Sequence, residues 1–137
     1  MKFTFNCILL LLITLSFAAC SKRAKPPRPA NYYEIAQIRF SDKDRMKVDL
    51  AESLSDVDGC EKTEETKIGF ILDTPMELLF RMGGPEVQKK ETEETLIKLA
   101  KWLAVRKKAD RVRLLETPEY DRSHKAYYQY AAFYSCN

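Results

Sequence analysis

Apolar side chains return every three or four positions between residues 92 and 109. Leu96, Leu99, Ala100 and Leu103 form one stripe, Ile97 and Ala104 widen it, and Lys98, Lys101 and Lys108 lie opposite. This period predicts an amphipathic core helix over 92–109, and the pattern allows a start near Pro85. Glu93 and Glu94 near its start, and Arg106, Lys107 and Lys108 near its end, suit the helix dipole, and Glu94 with Lys98 makes an i,i+4 pair. Elsewhere the period is two. Met46, Val48 and Leu50 alternate with polar neighbours and predict a strand, and residues 33–40, 68–72, 111–115 and 126–136 predict others.

The segments between these elements carry stop and start signals. Residues 53–59 are turn chemistry, with Asp58-Gly59 suited to positive φ just before Cys60. Asp56-x-Asp58-Gly59 shares part of a calcium loop, but the remaining ligands and the closing glutamate are missing, which favours a simple turn. Residues 61–67 read as a solvated charged stretch and 118–125 as a polar loop. Thr74-Pro75-Met76-Glu77 has the form of a capping box opening a short helix over 75–82, which Gly83-Gly84 would end. Helical spacing assigns Met76, Leu78, Leu79 and Met82 to the core, with an exposed sticky surface as the alternative. The expected fold class is α+β: a small antiparallel sheet of four to five strands with the 92–109 helix packed on one face. A two-residue turn at Ala109-Asp110 would bring the next strand back beneath that helix, burying Leu96, Ala100 and Leu103 against Val112 and Leu114.

The N-terminal segment has a different character. Lys2 precedes an apolar run over 7–17, and the segment closes on Leu15-Ser-Phe-Ala-Ala-Cys20. Small residues beside a cysteine fit the narrow site of a lipoprotein-processing peptidase, and Cys20 supplies the thiol that takes the lipid. Residues 1–19 are expected to be a lipoprotein signal peptide and Cys20 an acylated residue held in membrane lipid. Ser21 in place of aspartate favours the outer membrane, by resemblance to enterobacterial lipoproteins. Cleavage after Ala18 and an uncleaved anchor are the alternatives; the apolar stretch, roughly 15 residues, falls short of the ~20 that span a bilayer. Residues 20–31, with three prolines and four basic side chains, read as a linker of about 34 Å in polyproline II geometry, leaving one domain over 32–137. Lys22, Arg23, Lys25 and Arg28 either touch anionic lipid or serve solubility and spacing only.

Removing residues 1–19 leaves 118 residues with 22 basic and 20 acidic side chains. So balanced a charge disfavours a nucleic-acid partner, whose phosphates require a clearly basic face. With Cys7 removed and Cys20 acylated, Cys60 and Cys136 remain as an even pair in an oxidising compartment, where a disulfide is expected; two separate buried thiols are the alternative. One histidine, His124, and no Cys-x-x-Cys argue against a metal site, and nothing implies a cofactor.

Catalysis requires a nucleophile with its base, or a carboxylate pair in a pocket. Ser123 beside His124 comes nearest, and adjacent residues rarely present both side chains to one substrate, so no catalytic residue is assigned. Along the last strand Tyr128, Tyr130, Tyr134 and Cys136 share one face, and Tyr127, Gln129, Ala131, Phe133 and Ser135 the other. A partner surface is therefore sought at Tyr127 and Phe133, with Arg111 and Arg113 extending a basic patch; a central strand covered on both sides is the alternative. The function expected is that of a non-enzymatic interaction or sensor protein of the cell envelope, binding an unidentified envelope protein. The alternative is a small envelope hydrolase or peptidoglycan-acting enzyme.

The order Val48-Asp-Leu, then Asp56-Val-Asp-Gly-Cys60-Glu-Lys, then a helix ending Lys107-Lys-Ala-Asp-Arg-Val-Arg-Leu114, then Ala132-Phe-Tyr-Ser-Cys136 resembles small bacterial outer-membrane lipoprotein domains of the RcsF-like type. The likeness covers about residues 46–137. It implies a strand leading to a turn cysteine, a helix turning into a valine strand, a closing Tyr-x-Cys motif, and a basic proline-rich linker behind a lipid. This chain differs in having one cysteine pair instead of two, no glycine-containing segment soon after Cys60, and an insertion around residues 69–90.

Overall fold

The computed structural model describes residues 27–38 and 47–136. Residues 1–19, expected to be a signal peptide, Cys20, the first part of the expected linker and Met46 lie outside the described residues. Among the described residues, five strands form one sheet: β1 (Tyr32–Glu34), β2 (Asp49–Leu50), β3 (Glu61–Ile71), β4 (Arg111–Asp121) and β5 (Ala126–Ser135), with spatial order β1, β3, β5, β4, β2. One α-helix among the described residues, α1 (Thr74–Lys107), packs on a single face of the sheet. The class is α+β as expected, but the sheet is mixed. β5 pairs antiparallel with β3 and β4, whereas the short edge strands β1 and β2 pair parallel with β3 and β4. Only hairpin neighbours are compelled to run antiparallel, and both edge strands reach the sheet by longer connections.

β3 and β4 are longer than their apolar segments. Residues 61–67 are strand, not solvated connection, because all but Thr63, which sits at a register shift, pair along β5, whose Ala, Phe and Tyr side chains supply the packing. Their charges are absorbed locally: Lys62 meets Glu65 at 2.9 Å, and Glu64 meets Lys107 at 2.6 Å. β4 likewise continues through much of the expected polar loop. It does so across an irregularity between Leu115 and Glu119, where Glu116 has φ 63° and Pro118 needs no ladder donor. Conversely, the strand expected over 33–40 is limited to Tyr32–Glu34, followed by a 3-10 turn at Ile35–Gln37; residues 39 and 40 lie outside the described residues.

α1 has two limbs. Asp73, not Thr74, caps it, its carboxylate accepting the Met76 amide at 3.0 Å, while the Glu77 carboxylate turns instead to Arg81 at 2.7 Å. Gly84, at φ 75°, leaves the helical region ahead of Pro85, so limb 74–83 ends at the predicted glycines and limb 85–107 starts at the proline. Lys108 closes the helix in the left-handed conformation, and the Ala109 amide returns to the Ala104 carbonyl at 2.9 Å.

The long limb lays Leu96, Leu99, Ala100, Leu103 and Ala104 on Ile68, Phe70, Val112, Ala131 and Phe133, all of them buried, with Leu114 packed at the margin. Val48 and Leu50 join this core from β2's side. A second cluster on the opposite face joins Ala51, Val57, Ala132 and Tyr134 with Cys60 and Leu115. There the Cys60–Cys136 disulfide pins the 51–60 segment to the end of β5. Asp110 ties the same corner: its amide donates to the Tyr134 carbonyl and its carboxylate accepts from the Cys136 amide, each at 2.9 Å.

Leu103→Asp should unfold the domain, losing more than about 3 kcal/mol, because an unpaired carboxylate joins the lost apolar burial. An unchanged thermal melt would show that this face is not packed. Cys136→Ala should lower stability by about 2–5 kcal/mol in chemical denaturation, since the bridge closes a loop of 76 residues.

Candidate functional site

Alternation along β5 sends Tyr127, Ala131 and Phe133 toward α1, and Tyr128, Tyr130, Ala132 and Tyr134 to the other face. The partner surface sought at Tyr127 and Phe133 therefore needs correction. Phe133 is completely buried, and Tyr127 is half-buried between Phe70, Phe80 and Tyr120, with its hydroxyl accepting from the Gln88 amide. Neither offers a free face, because the long limb of α1 lies over that side of the strand. Among the β5 tyrosines the one most open to solvent is Tyr130, 41% exposed on the face opposite α1, where the Ala51–Val57 cluster covers only the end near Tyr134.

On that face Tyr32 of β1 lies over Gly69, where a Cβ would meet its ring at 2.8 Å and the Tyr127 carbonyl at 2.9 Å; no larger residue fits there. Tyr32 stacks on Tyr128 with centroids 6.3 Å apart and meets His124 edge-on at 5.7 Å. The Lys67 ammonium sits 3.5 Å from the Tyr128 ring centroid, a cation–π contact. The Tyr32 hydroxyl donates to Asp121 at 3.2 Å, and the Tyr128 hydroxyl donates to Glu119.

Asp121 organises the hairpin that carries these rings. It accepts the Ser123 amide at 2.9 Å and lies 2.8 Å from His124 Nδ1, while His124 Nε2 lies 3.1 Å from the Pro27 carbonyl. The His124 hydrogen bond holds the Asp121 carboxyl below the usual carboxylate range, helped by the two backbone amides and opposed by burial. Burial, then the Asp121 charge, raises the Tyr32 phenol. Residues 27–31, expected to be linker, lie against the domain here. The Arg28 Nε donates to the Tyr32 carbonyl at 2.7 Å, and the Asn31 amide donates to Thr66 Oγ1 at 2.7 Å.

Both ring nitrogens of His124 are engaged by Asp121 and Pro27, so the Ser123–His124 pair has the bonding of a turn that fastens the incoming chain. Arg111 donates to the Asp56 carbonyl, and the Arg113 Nε is buried with no hydrogen-bond partner among the described residues. Both arginines fall, half-buried, on the face opposite α1 by alternation with the buried Val112. Asp56 instead folds onto the amides of Glu52 and Ser53, at 2.9 and 2.8 Å, which fits a turn. Among the described residues, no three histidine, cysteine or acidic side chains converge as metal ligands. A cavity of about 340 Å³ lies between the start of the long limb and the β4 irregularity, lined by Pro85, Gln88, Thr92, Pro118 and Tyr127. The Thr92 hydroxyl beside it has no partner among the described residues and is sealed from solvent.

Hydrogen bonding to Glu119 pushes the Tyr128 phenol up from 10.0 to about 12. Because the folded value lies above the unfolded one, this contribution to stability is present below pH ~10 and is lost as the pH rises through about 12. Glu119→Gln should bring the Tyr128 titration, followed by NMR of labelled tyrosine, back toward 10.0. No protein-family model, curated protein or solved structure matches the chain.

Proposed function

We propose that the protein is a lipid-anchored, non-enzymatic interaction or sensor protein of the cell envelope, which presents its open tyrosine face to an envelope protein. The observation that carries this reading is the Cys60–Cys136 disulfide, a bond that persists in oxidising compartments and is rare in the cytosol. It agrees with the Leu15–Cys20 segment, whose small residues and cysteine suit lipoprotein processing. The order of turn cysteine, helix, valine strand and closing Tyr-x-Cys supports kinship with the RcsF-like lipoprotein domains.

The open face suits a protein partner. Tyr128 and Tyr130 offer broad contact area with few rotatable bonds, Lys67 and Arg113 add positive charge, and Glu119 and Asp121 add acceptors at the rim. The rings are held in place by one another and by the hairpin, so little order remains to be imposed when a partner binds.

Cys20→Ser should abolish incorporation of labelled palmitate in cells and move the protein out of the membrane fraction. A substituted protein that stays membrane-bound and unprocessed, beside a native protein carrying no acyl label, would establish an uncleaved anchor instead.

A further inference from the structure

The short limb of α1 turns its apolar side outward. Met82 is 83% exposed, Leu79 61% and Leu78 56%, and Val87 at the start of the next limb is 46% exposed. Helical spacing assigned the first three to the core, but Phe80 and, in part, Met76 fill that role, packing against the core residues and Tyr127. Between the two limbs runs a groove of about 380 Å³ lined by Met76, Leu79, Phe80, Met82, Val87 and Glu91. A cluster of this kind on a small domain marks a contact surface.

Its position identifies what it contacts. The limb begins at the hairpin end of the sheet, where the Leu72 amide donates to the Lys125 carbonyl at 2.9 Å and Lys125 Nζ stands 3.8 Å from the Glu77 carboxylate. The preceding residue, His124, holds the Pro27 carbonyl. The N-terminal segment therefore meets the domain at the end that displays Leu78, Leu79 and Met82. From Pro27 back to Cys20 are seven residues, which cannot reach beyond about 25 Å even fully extended. An acylated Cys20 holds this end within that distance of the bilayer.

We propose that the hairpin end rests on the leaflet that holds Cys20, with Leu78, Leu79 and Met82 seated at the headgroup–acyl boundary as a short interfacial helix. The inference rests on the lipid-anchor reading. Limb 74–83 supplies the apolar contact, and Arg81 and Lys125, which share the single carboxylate of Glu77, leave one net positive charge beside it toward anionic headgroups. The disulfide end then points away from the membrane, and on the tyrosine face Tyr130 and Arg113 stand farther from the leaflet than Tyr32 and Tyr128, accessible to a protein in the space above.

The test uses the acylated full-length protein in vesicles of phosphatidylethanolamine and phosphatidylglycerol containing nitroxide-labelled lipid. A polarity-sensitive fluorophore is placed on Met82→Cys or, as the far-end control, on Ser55→Cys; both positions are exposed, so neither change disturbs packing. The expected result is a blue-shifted emission at position 82, quenched several-fold more strongly than at position 55. Equal, weak quenching at both sites in protein that floats with the vesicles would overturn the membrane-facing surface while leaving the anchor intact. Failure to float, with no acyl label, would overturn the anchor reading and this inference with it. If unacylated Cys20→Ser protein in vesicle-free buffer already shows the shift at position 82 and elutes as a dimer, a second copy covers this face and the inference falls.

Discussion

β5 is hydrogen-bonded along both edges and packed on both faces, and most of the structure follows from that double burial. Its edges pair with β3 and β4 over nearly their whole lengths. On one face Ala131 and Phe133 meet the long limb of α1, and on the other Ala132 and Tyr134 meet Ala51 and Val57. The consecutive alanines matter because small side chains on both faces let the helix and the 51–60 segment approach the same stretch of backbone. A charged sequence such as Glu61–Lys67 becomes strand because an edge of β5 would otherwise be left with unpaired backbone groups.

The two ends of β5 are fastened by different chemistry. At its C-terminal end a covalent bond and the Asp110 hydrogen bonds hold the 51–60 segment, the helix exit and the last strand together. At its N-terminal end the hold is polar and local: Asp121 gathers His124, Ser123 and Tyr32, and His124 passes the connection to Pro27. The first corner is rigid in the way a small domain of modest core requires. The second sets where the chain from Cys20 arrives, and with it which end of the sheet lies nearest the proposed anchor.

Legibility followed the range of the forces involved. The long helix, its buried stripe, its turn at Ala109-Asp110 and its packing on Val112 were readable because each rests on a local period or on adjacent elements. The cysteine pair was readable by elimination among four cysteines. The two faces of β5 were also readable, since alternation assigns Tyr128 and Tyr130 to one and Tyr127 and Phe133 to the other.

Which of those faces is covered was not, because a helix can dock on either side of a strand with the same local pattern. The choice is made by Ile68, Phe70 and Val112 on neighbouring strands, which join Phe133 on one side and so draw α1 there. The same limit explains the exposed Leu78, Leu79 and Met82: Gly84 and Pro85 turn the short limb away from the sheet, so apolar residues at core spacing have no core to meet. The parallel edges and the bond between His124 and Pro27 also arose from contacts between distant segments. Local order was determined by the amino-acid sequence read in windows of a few residues. The side each surface presents was decided only when the strands were paired, because that is when every buried face must find its partner.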